Sequence, residues 1–214
     1  MISNYDLIVF DWDGTLANSI DWIVECIITV AEQQNLLVPT EQACKDVIGL
    51  SLSQAMHELF PTLSHNEKSR MVDAYRILYL AKAITPDDLF LDTIPVLNEL
   101  QRMGKTLAVA TGKGQSGLDR ALDGTQIRRF FHQLRCADTM TSKPSPHMLF
   151  DIMQVTKHSA EKTIMIGDSI LDLSMANNAG VASIGVTTGA HSREVLEQHR
   201  PIACVNKLID IFEG

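Results

Sequence analysis

The sequence predicts an α/β protein: a Rossmann-like three-layer core with a parallel sheet, plus a small all-α helical cap domain. Three observations carry this expectation. "YDLIVFDWDGTLANS" opens with Leu7–Phe10, a short apolar run of the kind found in strands buried on both faces. Straight after it the period changes, and helical stripes continue to about residue 84. From there on strands and helices alternate, which implies a parallel sheet covered on both sides.

Each element has a local reason. Ile20, Ile23, Val24, Ile27, Ile28 and Ala31 follow an i, i+3, i+4, i+7, i+8 stripe, with Ser19 as its N-cap. Thr40 caps a helix that Gly49 ends, and Ser53 caps a second that Pro61 stops. Ser64 and Glu67 form a capping box for a third, which carries Met71, Tyr75 and Leu78. "ITPDDLFLD" reads as a connection. A helix through Ile94, Leu97, Leu100 and Met103 then ends at Gly104. "TLAVAT" is a strand, "SGLDRAL" a helix, "QLRCAD" a strand, "PHMLFDIMQV" a helix and "TIMIGD" a strand. "ILDLSMANNAG" is a helix closed by Gly180. "VASIGV" and "IACV" are strands, each followed by a helix, "SREVLEQH" and "NKLIDIFE". Residues 1–15 and 87–214 are expected to form one discontinuous core, and residues 16–86 the cap.

Composition narrows the function. The chain has 214 residues, 45% hydrophobic and 21% charged, with a net charge of −8. An acidic chain gains little from counterion release on DNA or RNA, so no nucleic acid is expected as partner. No apolar run reaches the roughly 18 residues of a membrane helix, and no basic segment followed by an apolar one opens the chain. No membrane partner and a cytoplasmic location are therefore expected. Cys26, Cys44, Cys136 and Cys204 show no zinc or redox spacing and read as small apolar core residues. Monomer and homodimer both remain open.

Ligands of parallel α/β sheets bind at the carboxyl ends of the strands. There the first strand ends in Asp11-Trp12-Asp13-Gly14-Thr15, and the second in Thr111-Gly112-Lys113. The third leads through Asp138 to Lys143-Pro144, and the fourth ends in Gly167-Asp168-Ser169 with Asp172 beyond. Carboxylates gathered at one edge repel one another unless a cation sits among them, and hard oxygen donors suit Mg²⁺. Lys143, the Thr111 hydroxyl and backbone N–H groups after Asp11, where Gly14 permits a tight turn, can hold phosphate oxygens. Asp11 can then attack phosphorus and form an aspartyl-phosphate. Asp13 can protonate the leaving oxygen and later activate water.

These motifs resemble those of the haloacid-dehalogenase-like superfamily of phosphotransferases. "DWDGTL" matches the first motif, Thr111 in "VATGK" the second, Lys143 in "SKPSP" the third, and "GDSILD" with Asp168 and Asp172 the fourth. The chain looks most like the phosphoglycolate-phosphatase branch, where the lysine after the second motif, here Lys113, is common and Asn often stands where this chain has Gly112. The resemblance implies a Mg²⁺-dependent phosphatase acting on a small phosphorylated metabolite, such as phosphoglycolate. It implies Asp11, Asp13, Thr111 and Lys143 as catalytic residues, and Gly14, Thr15, Gly112 and Lys113 as substrate-binding residues. Asp11, Asp13 through its backbone carbonyl, and Asp168 are implied as Mg²⁺ ligands, with Asp172 in the outer shell or supporting Lys143. Lys113 is expected to meet a second anionic group of the substrate.

Other readings compete. A phosphosugar mutase, a pyrophosphatase or a nucleotidase would use the same motifs. "GKGQSG", Gly112 to Gly117, is a literal dinucleotide fingerprint after a strand, with Asp138 some 20 residues on, as in an oxidoreductase. That reading leaves Asp11, Asp13, Lys143, Asp168 and Asp172 without a task. A phospho-acceptor signalling module would need no cap. His191 is expected at the surface or as a cap.

Overall fold

The alternation of side chains along one four-residue strand sets the layers of the molecule. In β1 (Leu7–Phe10) every residue is fully buried. Ile8 and Phe10 enter one apolar cluster, while Leu7 and Val9 enter another on the opposite face. The computed structural model describes residues 1–213. Around β1 lie β2 (Thr106–Thr111), β3 (Gln133–Cys136), β4 (Thr163–Gly167), β5 (Ala182–Val186) and β6 (Ala203–Val205). All pairs are parallel, in the order β3-β2-β1-β4-β5-β6. β1 is therefore central, with β2 on one side and β4 on the other, and the chain reverses direction across the sheet at its carboxyl end.

Three layers follow. The helices α1 (Ile20–Gln33), α2 (Glu41–Asp46), α3 (Leu52–Leu59) and α4 (His65–Ala81) come between β1 and β2. α5 (Thr93–Arg102) and α6 (Gln115–Thr125) then cover the Ile8/Phe10 face with Val96, Leu97, Leu100, Leu118 and Leu122. α7 (His147–Thr156) and α8 (Ile170–Ala179) cover the other with Met148, Leu149, Ile152 and Met175. Each such side chain contributes on the order of 1.5–3 kcal/mol when fully buried. α9 (Arg193–Glu197) packs beside β5 and β6. The helices α1–α4 bury a third cluster of their own, with Ile23, Ile27, Cys44, Met56 and Met71. The polar ends of these helices follow local chemistry: Thr40 Oγ1 accepts the N–H of Ala43, and Ser64 and Glu67 form the expected reciprocal box.

Several local expectations are corrected. α3 is capped by Ser51, whose hydroxyl accepts the Gln54 N–H, rather than by Ser53. Ser19 stands at the N-cap of α1 but makes no cap bond; its hydroxyl donates to Asp13 instead. The stretch "NKLIDIFE" forms a 3₁₀ turn over Leu208–Phe212, because Asp92 takes the N–H of Ile209 and Asp210 that of Lys207. Among the described residues no helix is long and apolar enough to cross a membrane. The four cysteines are unpaired, and three of them are buried.

Candidate active site

β1 and β4 end side by side, in register at Phe10 and Ile166. The first polar residues beyond them, Asp11 and Asp168, are 2% and 1% exposed. Asp172, one turn into α8, joins them: an oxygen from each of Asp11, Asp168 and Asp172 lies within 4.8 Å of the others. One cation answers this group. Lys143 Nζ donates 2.6 Å bonds to Asp11 Oδ1 and to Asp172 Oδ1, and its side chain is wholly buried. Burial works against its charge, but the two carboxylates outweigh that and hold its pKa above the ordinary lysine value. One lysine does not balance three carboxylates. Burial pushes Asp11 up to about 7, with Lys143 opposing and Asp172 and Asp13 adding to the rise. Burial, Asp172 and Asp11 likewise raise Asp168. The donor set, hard oxygens carrying excess negative charge, fits a divalent cation.

The remaining contacts sort the carboxylates. Asp172 Oδ2 accepts the N–H and hydroxyl of Ser169, and its other oxygen is held by Lys143. Asp172 is thereby held by Ser169 on one oxygen and by Lys143 on the other. Asp168 accepts the Thr15 hydroxyl at 2.8 Å and the Ala190 N–H at 2.8 Å. It fits only because two glycines flank it: a Cβ on Gly14 would stand 2.4 Å from its Oδ2, and one on Gly189 1.9 Å. Gly14 also has φ +79°, a region L-residues with side chains rarely occupy. Thr188 Oγ1 donates to the Gly14 carbonyl and ties the β5 loop to the β1 loop. Thr188, Gly189 and Ala190 escaped the sequence reading, although "VTTGA" at a strand's carboxyl end was a signal for them.

The Asp13 carboxylate lies outside the cluster of Asp11, Asp168 and Asp172, as expected for a residue whose backbone carbonyl, not its side chain, is assigned to the metal. Its Oδ1 accepts from Ser19 Oγ at 2.6 Å and pairs with Lys113 Nζ at 3.0 Å. Lys113 in turn donates to the Tyr79 hydroxyl of α4 at 2.7 Å. Burial disfavours the Lys113 ammonium, but Asp13 and Tyr79 hold its pKa above the usual lysine value. In this conformation the Lys113 ammonium is engaged within the protein by Asp13 and Tyr79. Thr111, 1% exposed, accepts the Lys113 N–H through its hydroxyl.

The α2–α3 turn meets this edge. A Cβ on Gly112 would stand 2.3 Å from the Gly49 carbonyl oxygen and 2.5 Å from that of Leu50. The Ser51 N–H donates to Ser142 Oγ, next to Lys143, and Gly49 packs against Leu171. Gly112 thus provides room for protein backbone, and the dinucleotide reading loses the space where a pyrophosphate would approach. Gly114 is spent the same way, its open side facing the Asp138 carboxylate, which accepts the Gln115 N–H. His191 is not at the surface: it is 7% exposed, 3.6 Å from the Asp46 carboxylate of α2, and burial lowers its pKa.

A core strand ending in paired aspartates, a buried lysine across from it and an acidic β4 end define an acid-lined hydrolase site. A family model described as haloacid dehalogenase-like hydrolase matches residues 8–186, and the chain belongs to that family. It is 29% identical to "Probable phosphatase IndB" of Dickeya dadantii, over 96% of this chain and 91% of that protein. It is 26% identical to a phosphoglycolate phosphatase of Vibrio parahaemolyticus, over 97% and 94%. In fold it resembles a haloacid dehalogenase-like family hydrolase of Streptococcus pneumoniae, with a TM-score of 0.82 at 24% identity over 99% of this chain and 98% of that one.

Proposed function

We propose that the protein is a Mg²⁺-dependent phosphatase that hydrolyses a small phosphomonoester through an aspartyl-phosphate on Asp11. The observation that carries this reading is the Lys143 ammonium, buried and shared between Asp11 and Asp172 beside Asp168. Such a constellation is costly to bury and serves no packing purpose. Asp11 and Asp168 are the residues that would hold the cation, with Asp13 contributing its carbonyl. When bound, Mg²⁺ supplies charge that offsets the phosphoryl oxygens and lets Asp11 ionise.

The chain's own groups then divide the work. Lys143, the Thr111 hydroxyl and the backbone N–H groups directly after Asp11 bind the phosphoryl oxygens. Asp11 Oδ attacks phosphorus as the P–O bond to the alcohol breaks, and Asp13 gives its proton to the departing oxygen. Water then attacks the aspartyl-phosphate, Asp13 takes its proton, and the Asp11–phosphorus bond breaks to release inorganic phosphate. Lys113 and Ser19 orient the Asp13 carboxylate. The segment 16–86 acts as a cap: its α2–α3 turn, lying against Gly112, excludes water from the strand end. The names of the relatives make phosphoglycolate the first substrate to assay. Phosphate release with Mg²⁺, lost in EDTA and in Asp11→Asn, is the expected result; release that persists in Asp11→Asn would refute the nucleophile.

A further inference from the structure

We infer that the preferred ester carries an uncharged, largely apolar ring as its leaving group. This deepens the phosphatase reading, on which it rests, by naming a substrate class for that same site.

Between the helical block and the sheet edge lies a cavity of about 420 Å³, with Asp13, Gly112 and Lys113 in its wall. At about 30 Å³ per water molecule it has room for on the order of a dozen non-hydrogen atoms. A glycolate would leave most of it empty. Pockets of this size bury whole organic ligands, and their lining sets which kind.

On the helical side the lining is mostly apolar, with Ser51, Ser53 and Arg76 as its polar members. α1 contributes Ile23 and Ile27, the α2–α3 turn Val47 and Ile48, and α4 Tyr75 and Tyr79. The two tyrosine rings stack, with centroids 5.6 Å apart and planes 14° from parallel, and both belong to the lining. Aromatic lining favours another ring, in edge-to-face contact where ring faces are already covered.

The charges point the same way. The cations in the lining are Lys113 and Arg76. Lys113 is consumed by Asp13 at 3.0 Å and Tyr79 at 2.7 Å. Arg76 stands on the exposed face of α4, its side chain 58% accessible, beside Asp73 at 3.8 Å. Against them stand the Asp13 and Asp138 carboxylates. A carboxylate on the leaving group would compete with Asp13 for Lys113, whereas an uncharged ring leaves that contact in place and removes apolar surface from water.

Benzyl phosphate, phosphoglycolate and glycerol 3-phosphate all release a primary alcohol, so leaving-group acidity does not decide among them. With Mg²⁺ and the full chain, kcat/KM for benzyl phosphate should exceed that for the other two by about tenfold or more, as apolar pockets discriminate. Gly117 lines the same cavity, and a Cβ there would meet nothing within 4 Å. Gly117→Phe should therefore fill the cavity, and the ratio of kcat/KM for benzyl phosphate to that for phosphoglycolate should fall by about tenfold. Phosphoglycolate or glycerol 3-phosphate turned over as well as benzyl phosphate would overturn the substrate class and leave the phosphatase standing. A benzyl preference unmoved by Gly117→Phe, in a variant that melts like the parent, would overturn its assignment to this cavity. Phosphate release from none of the three would refute the phosphatase reading, and the substrate class with it.

Discussion

The Lys113 ammonium donates a 2.7 Å hydrogen bond to the Tyr79 hydroxyl, and so joins the loop after β2 to helix α4. The same ammonium lies 3.0 Å from Asp13 and 4.7 Å from the Tyr79 ring centroid. Tyr79→Phe keeps the ring and its stacking on Tyr75 but deletes the acceptor. A hydrogen bond to a charged donor is worth about 1.5–3 kcal/mol, so urea unfolding should show a loss in that range. Lys113→Met should cost more, because it leaves the Asp13 carboxylate with Ser19 alone. The double variant should be less destabilised than the sum of the two, since both remove one interaction. Additive losses would mean the pair is not coupled.

Asp13→Asn tests the proton transfer. The variant should lose at least the roughly 100-fold in kcat that general acid–base groups supply. Phosphoenzyme formed from an activated ester should persist longer than in the parent, because its hydrolysis also needs a base. Acid-quenched samples analysed by mass spectrometry report its lifetime. An Asp13→Asn variant with parental kcat would remove Asp13 from the chemistry.

The metal and the pH dependence are linked. Burial raises Asp11 from 3.8 to about 7 and raises Asp168 in the same sense. Between pH 3.8 and about 7 the folded, metal-free protein therefore binds more protons than the unfolded chain, and these groups make stability fall as pH rises through that window. A cation bound by ionised Asp11 and Asp168 opposes this. Mg²⁺ should then raise Tm more at pH 7.5 than at pH 5. At about 100 times its Kd the gain is about 2.7 kcal/mol, on the order of 5–10 °C for a chain of this size. Asp168→Ala should abolish that shift and the Mg²⁺-dependent activity while remaining folded. Equal Mg²⁺ shifts at both pH values, followed by differential scanning fluorimetry, would separate the metal from these carboxylates.

Gly112 sits where backbone meets backbone. Its Cβ in Gly112→Ala would fall 2.3 Å from the Gly49 carbonyl oxygen, and a carbonyl cannot swing aside as a flexible side chain can. Overpacking of this kind costs about 1–3 kcal/mol. The α2–α3 turn should lift from the sheet edge, with lower stability and a raised KM. Gly112→Asn should do both more strongly. Parental KM and unfolding midpoint in Gly112→Ala would show that the turn does not need to sit there.

Sequence alone determined the strand–helix alternation, and with it the parallel sheet. The run Leu7–Phe10 and the Ile164–Ile166 centre of β4 are apolar at every position, and only a strand covered on both faces buries them. It also brought out Asp11, Thr111, Lys143 and Asp168, because parallel connectivity sends every strand's carboxyl end to one edge. What it could not decide was which of those groups meet. The division of labour between Asp13 and Asp172 depends on contacts between residues far apart in the chain: Lys143 reaches Asp11 across 132 positions. Sequence likewise offered Ser19 as a helix cap and Lys113 as a contact for an anionic group of the substrate, but gave no sign that both meet Asp13 once α1 and the β2 loop come together. Helix propensity and capping act within a turn or two of chain, so they register at Thr40 and Ser64. Charge pairing and close approach, as at Lys113 with Tyr79 or Gly112 with Gly49, exist only after the helical block has packed on the sheet.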